Sequence, residues 1–132
     1  MKEHWGTITW RFLHTLLENI NEEKFNIKRN DIIDLINYIG LNLPCGICSY
    51  HYRKNNIISV ENMFYKNSLI IKLWAIHNNV NESRNVNVYS IGILDQYKSY
   101  DYKETENDFF EKISIYKTID MNKVREFLNK IL

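Results

Sequence analysis

Apolar residues along this chain recur at steps of three and four, which is the spacing of one face of a helix. In the first segment Trp10 and Leu17 lie on such a face, and Ile32 and Ile36 begin another. Clean alternation, which indicates a strand, occurs only near residues 86–91. The pattern therefore predicts an all-α fold with at most one short strand.

Helix boundaries are predicted from capping residues and from the single proline of the chain. Asn30 or Asp31 can cap a second helix, because their side chains accept hydrogen bonds from free backbone N–H groups. Pro44 then breaks the chain, and Cys45 is predicted to open a third helix, since proline is favoured at a first turn. The remaining predicted helices are a fourth over roughly 60–82 and a short fifth from a cap at Ser90 to Tyr97.

The C-terminal part is predicted to contain a loop and one amphipathic helix. Residues 99–108 are polar and are assigned to the loop, whereas apolar residues return at helical spacing after a cap at Asp120. These apolar residues are Val124, Phe127, Leu128, Ile131 and Leu132. They are expected to pack in the core or in a dimer, and docking of another protein is the alternative. We therefore divide the chain into a helical domain over 1–99 and a C-terminal extension over 100–132.

Composition and charge narrow the class of protein. The chain has 132 residues, 45% of them hydrophobic, which suffices for one domain with a real core. A net charge of +1 without a clustered basic stretch argues against nucleic-acid binding. The strongest apolar run, residues 69–76, is too short for a membrane span and contains Lys72. Because the N-terminus also lacks the apolar core of a signal peptide, we expect a soluble, cytoplasmic protein.

Both cysteines of the chain, Cys45 and Cys48, lie at the predicted start of the third helix. Free N–H groups and the positive end of the helix dipole stabilise a thiolate at such a position. Gly46 leaves one side of the pair open to a visiting thiol or disulfide. The pair is therefore a candidate redox couple, although a C-x-x-C motif in a reducing compartment can also bind a metal.

Two other interpretations of the cysteine pair are weaker. A zinc site could use Cys45, Cys48 and His51 with His77 as a distant fourth ligand, but structural zinc sites usually draw ligands as two close pairs. A thioredoxin-like fold expects a strand before its C-x-x-C motif, whereas residues 30–43 have a helical pattern.

A second group of polar residues lies on the predicted fourth helix. His77, Asn78 and Asn81 fall within one turn of each other, and asparagine is a poor helix former. They indicate either a solvated helix end or a site for a polar ligand. Trp10 and His14 share a face of the first helix and could stack on a planar ring, although such pairs are more often core.

These motifs occur in the same order in one family. Three motifs mark this family: W-x-x-L-H at 10–14 with Gly6 before it, P-C-x-x-C at 44–48 and H-N-x-V-N at 77–81. On them, residues 5–81 resemble the Erv/ALR family of FAD-linked sulfhydryl oxidases. The compact form with few cysteines is similar to the versions that large DNA viruses carry.

The resemblance implies a four- or five-helix bundle that binds FAD without a Rossmann fold, and the extra C-terminal helix lies outside it. The sequence agrees, because its four glycines form no G-x-G-x-x-G motif. The implied cofactor-binding residues are Gly6, Trp10, His14, His51, Trp74, His77, Asn78, Asn81, Arg84 and Tyr97. Among them, Arg84 would meet the pyrophosphate, and Tyr97 would close the adenine side.

The resemblance also implies the chemistry. Cys45 would exchange with a substrate thiol and Cys48 would lie next to the flavin, so that electrons pass through FAD to O2 and give H2O2. Trp74 stands where cellular members have a cysteine, and the chain lacks their second C-x-x-C. A thioredoxin-like or other dithiol protein must then dock directly at Cys45.

Three further expectations follow from the same resemblance. The first is a homodimer in which the first two helices form much of the interface. The second is a location in the host cytoplasm or the virion. The alternative hypothesis is a non-catalytic module, either a zinc-clipped helical adaptor or an oxidase relic that is kept for dimerisation.

Overall fold

A computed structural model describes residues 4–132, and within this range it contains seven α-helices and no strand. The predicted all-α class is confirmed. The helices are α1 (Trp5–Asn19), α2 (Glu22–Leu41), α3 (Gly46–Asn55), α4 (Lys66–Ser83), α5 (Ile93–Tyr97), α6 (Tyr102–Ile113) and α7 (Met121–Ile131). Two short 3₁₀ turns cover Val60–Asn62 and Ser114–Tyr116.

Side-chain caps determine where most of these helices begin. Asn21 accepts a hydrogen bond from the backbone N–H of Lys24 at 2.8 Å, and Asp101 caps α6 in the same way. Cys45 caps α3 with its sulfur, and Asp120 caps α7, so both predicted starts are confirmed.

The second helix is longer than predicted. It begins at Glu22 rather than near Asn30 or Asp31, because Asn21 supplies the cap. Phe25 is completely buried and anchors the additional turns to the core. The other apolar residue of these turns, Ile27, is two positions away and exposed, so apolar residues do not recur at helical spacing there.

Three other predicted boundaries also differ. α4 begins at Lys66 because residues 60–62 form a separate 3₁₀ turn. α5 begins at Ile93, after a turn, and Ser90 does not cap it. The possible strand near 86–91 is not formed, because its backbone bonds to a side chain of α4 rather than to another strand.

The predicted loop over 99–108 is wrong, because α6 begins within it at Tyr102. Most polar side chains of α6 lie on the face of the helix that is exposed to solvent. Its buried residues are Thr105, Phe109 and Ile113, which recur at four-residue steps. Because the first of these is a threonine, the inward face was not visible as an apolar pattern.

The core is continuous from the first helix to the last. α1 packs mainly against α6 and also contacts α4 and α5, and 11 of its 15 residues are buried. α7 packs against α2, with Val124 and Ile131 fully buried in the same apolar cluster. Within residues 4–132, no helix has both the length and the apolar character that a membrane crossing requires.

Candidate active site

The two cysteines form a disulfide across the first turn of α3. Their Cα atoms are 5.2 Å apart, and the N–H of Cys48 donates to the sulfur of Cys45 at 3.3 Å. Cys45 is partly exposed, whereas Cys48 is completely buried in the core. Only Cys45 is therefore open to an incoming thiol in this arrangement.

The inner face of α3 keeps the cysteine pair in place. Tyr52, one turn after Cys48, is fully buried, and its hydroxyl donates to Asn37 Oδ1 at 2.7 Å. The helix approaches α2 so closely that a side chain at Gly40 would collide with the Tyr52 ring. This contact fixes the depth of α3, and with it the burial of Cys48.

Four aromatic rings from α1, α4 and α5 meet in the interior of the bundle. Trp10 stacks on His77 with ring centres 4.8 Å apart, and His14 stacks on Tyr97 at 4.4 Å. The two imidazole centres are 6.5 Å apart. The structure thus brings together residues that lie far apart in the sequence. We call these four residues the ring cluster.

The ring cluster is buried, and three of its ring nitrogens have no hydrogen-bond partner. Trp10 Nε1, His14 Nε2 and His77 Nδ1 are inaccessible to water and have no partner. Burial lowers the pKa of His77 to about 3, and burial followed by the nearby His77 lowers the pKa of His14 to about 3. Both imidazoles are therefore neutral near pH 7. Unpaired buried polar atoms are costly, so the cluster is suited to a ligand with its own donors and acceptors.

The segment after α4 folds back over the ring cluster and is pinned there. Asn78 Nδ2 donates to the carbonyl of Tyr89 at 2.9 Å, and the N–H of Tyr89 donates back to Asn78 Oδ1 at 2.8 Å. Trp74 Nε1 donates to the same carbonyl at 3.1 Å. The Tyr89 ring then lies 5.1 Å from His77. We call residues 85–91 the strap.

A cleft of about 130 Å³ opens beside His77. Gly6, Asn81 and Arg84, all expected to bind the cofactor, line it together with His4. Neither cysteine is among the described residues that line it. The cleft is therefore a candidate binding site for the cofactor.

Arg84 is the cation of this cleft. It ends α4, where the helix dipole favours positive charge, and its guanidinium lies 4.9 Å from the centre of the Trp5 ring. It also contacts the imidazole of His4. Burial, followed by the charge of Arg84, lowers the pKa of His4. An anionic group in the cleft would meet a positive charge that no described carboxylate of its lining neutralises.

His51 lies elsewhere. It lines a polar hollow of about 450 Å³ between α3 and α4, together with Asn56, Asn79 and Glu82. The expected contact between His51 and the cofactor stays a prediction. The zinc hypothesis lacks a ligand set, because no three histidine, cysteine or acidic side chains among residues 4–132 lie close enough for a metal ion.

Two residues of the site were not found from the sequence. His4 accepts a hydrogen bond from the N–H of Gly6 at 3.0 Å and thereby caps α1. Its place one residue before a helix start is a signal that could have been used. Tyr89 lies in a segment without a periodic pattern, and only the fold-back of the strap brings it to His77.

Comparison with known proteins identifies the family. The sequence model of the Erv1 / Alr family matches residues 7–98, which is more than half of the chain. The chain belongs to the Erv1 / Alr family, and the resemblance based on three motifs is confirmed. α6 and α7 lie beyond the matched residues.

Two curated relatives are similar over most of this chain. The FAD-linked sulfhydryl oxidase ERV2 of Saccharomyces cerevisiae is 30% identical over 100 residues, which cover 74% of this chain and 50% of that protein. The FAD-linked sulfhydryl oxidase ERV1 of Arabidopsis thaliana is 27% identical over 116 residues, which cover 82% and 61%. The chain thus spans only about half to three fifths of the length of these relatives. No solved structure matches the chain.

Proposed function

We propose that this chain is an FAD-dependent thiol oxidase that makes disulfides in a partner protein. The observation that carries the proposal is the Cys45–Cys48 disulfide at the start of α3, with one sulfur partly exposed and the other buried. It lies inside the region that matches the family. The names of both relatives support the same activity.

The cysteine pair can oxidise a dithiol by two exchanges. A substrate thiolate attacks Cys45, the bond to Cys48 breaks, and Cys48 leaves as a thiolate. A second substrate thiol then attacks the mixed disulfide and releases Cys45. The substrate has lost two electrons and two protons, and the enzyme pair is now a dithiol. Attack at Cys45 is favoured because Cys48 is completely buried.

FAD, when bound, would accept the two electrons of the dithiol and pass them to O2, giving H2O2. The residues of the ring cluster suit such a cofactor, because they combine planar rings with unpaired nitrogens. Asn81 supplies an amide beside them, and Arg84 supplies a cation for a diphosphate.

The strap has to move before a dinucleotide can bind. The cleft of about 130 Å³ is much smaller than the pockets of roughly 300–1,000 Å³ that hold small-molecule cofactors. Val86 and Tyr89 line one side of it. Hydrogen bonds to Trp74, Asn78 and Asn81 hold the strap against α4. An outward movement of the strap would enlarge the cleft without unfolding a helix.

Cysteine variants test the proposal. Cys48→Ser is expected to keep its flavin but to stop O2 consumption with dithiothreitol, because the disulfide cannot form. Cys45→Ser should also be inactive. Only Cys48→Ser should form a mixed disulfide when the oxidised, disulfide-bonded partner is offered, because the Cys45 thiolate attacks that disulfide and one partner sulfur leaves as a thiolate. Normal turnover in Cys48→Ser would contradict the proposal.

A relic without catalytic activity is the second candidate, and the small cleft favours it. Purified protein that carries FAD absorbs visible light with the spectrum of a flavoprotein. Protein that remains colourless after incubation with FAD, and that does not consume O2 with dithiothreitol, would support the relic and reject the oxidase.

Dimerisation, partner and location complete the proposal. α6 packs on α1 and α7 packs on α2, so a homodimer through the first two helices would use the faces that α6 and α7 leave exposed. Light scattering of the full chain distinguishes one protomer of 16.0 kDa from twice that mass. A thioredoxin-like partner, the viral type and a location in host cytoplasm or virion stay predictions.

A further inference from the structure

The outer face of α3 carries an apolar and basic stripe that the exchange chemistry does not use. Ile47 and Tyr50 are 58% and 52% exposed, and helical spacing aligns them with Lys54. Lys54 Nζ lies 5.3 Å from the centre of the Tyr50 ring. We call these three residues the α3 stripe.

The α3 stripe begins beside the exposed sulfur. Ile47 lies between Cys45 and Cys48, and a side chain built at Gly46 would meet nothing within 4 Å. A protein thiol that attacks Cys45 can enter through this open space, and its neighbouring residues would then lie against Ile47. Isolated exposed apolar side chains are common, and Ile27, 71% exposed on α2, is an example in this chain. Position beside the sulfur distinguishes Ile47 from Ile27.

The charge of α3 indicates the chemistry of the partner. Its ten residues include Arg53 and Lys54 but no aspartate or glutamate, and both cations are exposed. Lys54 is seven positions after Ile47 on the helix, a distance of about 10 Å along the axis. A partner that has an apolar residue next to its cysteine, and carboxylates about 10 Å away, would complement this surface.

We propose that the α3 stripe is the docking surface for a protein dithiol with an apolar and acidic surround. The apolar end positions the attacking sulfur over Cys45, and the basic end steers and orients the partner. This inference rests on the proposed oxidase function. A small dithiol such as dithiothreitol reaches Cys45 without touching Tyr50 or Lys54, so its oxidation measures the exchange alone.

The test compares a protein substrate with a small one. O2 consumption is measured with reduced thioredoxin and with dithiothreitol for the unmodified chain, Ile47→Ser, Tyr50→Ser and Lys54→Glu. Ile27→Ser is the matched control, because it removes the same side chain at an even more exposed position, far along the sequence from the cysteines. Thermal unfolding of each variant verifies that it is folded.

We expect kcat/KM for thioredoxin to fall about tenfold in Ile47→Ser relative to its value for dithiothreitol. Lys54→Glu should lower the same ratio about threefold, with a larger effect at low salt. Equal losses for both substrates, no loss, or the same loss in Ile27→Ser would overturn the inference. So would normal oxidation of dithiothreitol in the unmodified chain without oxidation of thioredoxin. Failure to oxidise dithiothreitol would instead reject the proposed function.

Discussion

Helix α1 has two opposite faces that are equally buried but chemically different. On one face Phe12 stacks on Phe109 of α6 with ring centres 4.5 Å apart, and both rings are completely inaccessible to water. On the other face Trp10 and His14 meet His77 and Tyr97 with ring nitrogens that lack partners. Burial of the first face stabilises the fold. On the second face, the cost of the unpaired polar atoms offsets part of the stabilisation that burial provides.

This difference shows that burial alone does not separate core from site. Phe12 and His14 are two positions apart, and both are at most 1% exposed. What separates them is the side chain itself, since the Phe12 ring has no polar atom, whereas a ligand can still satisfy the unpaired nitrogen of His14. The stability of the chain should therefore depend mainly on the Phe12 face, and ligand binding on the His14 face.

Lowering the pH should have the largest effect on the free energy of unfolding, and it should act through the two histidines of the His14 face. The unfolded chain binds protons at both buried histidines below about pH 6.5, whereas the folded chain keeps His14 and His77 neutral down to about pH 3. Their contribution to stability is complete above the unfolded pKa and is lost as pH falls through this window. Between about pH 6.5 and pH 4.5 the two histidines together should remove about 4 to 5 kcal/mol.

Denaturant unfolding of the cofactor-free protein at several pH values measures this loss. His14→Leu is the control, because it removes one of the two protonation sites. We expect it to reduce the histidine-dependent loss by about half. Identical pH dependence in both proteins would show that His14 is not held neutral by burial.

Truncation of an aromatic side chain that packs on the Phe12 face should have the next largest effect on the free energy of unfolding. Phe109→Ala is expected to lower the free energy of unfolding by about 3 to 5 kcal/mol, because it leaves a cavity against Phe12. Ile115→Ala, at a side chain that is 56% exposed, is the control and should change it by less than about 1 kcal/mol. Equal effects of the two substitutions would mean that α6 does not pack on α1 in solution.

The smallest change in stability is expected for His14→Leu at about pH 8. The substitution removes an unpaired nitrogen but also the stacking on Tyr97, so the free energy of unfolding should change by about 1 kcal/mol or less. FAD affinity, measured by flavin fluorescence, should nevertheless fall about tenfold or more. A large loss of stability with unchanged affinity would reverse the assignment of the two faces.

Much of the fold could be predicted because local signals and packing agree. Cys45 and Asp120 cap helices whose buried faces follow a helical repeat. The start of α6 could not be predicted in this way, because Thr105 occupies the inward position one turn before Phe109. α6 forms because Asp101 caps it and α1 offers an apolar face, and the second of these reasons is a tertiary contact.

The site was predictable where it lies on long helices. Trp10, His14 and His77 share helix faces that spacing reveals, and the fold brings them together. Tyr89 was not predictable, because the path of the strap depends on hydrogen bonds to side chains of α4, among them Trp74 and Asn78, rather than on any repeat. The separate position of His51 depends on how α3 and α4 pack, which the sequence pattern does not specify.

The packing of the last two helices has a practical consequence. The match to the family ends at residue 98, a natural place at which to shorten the chain for expression. A chain cut there would present Phe12 and Tyr38 to solvent, since Phe109 and Phe127 now cover them. Aggregation of such a fragment would result from these exposed apolar side chains. It would carry no information about whether the intact molecule is an oxidase.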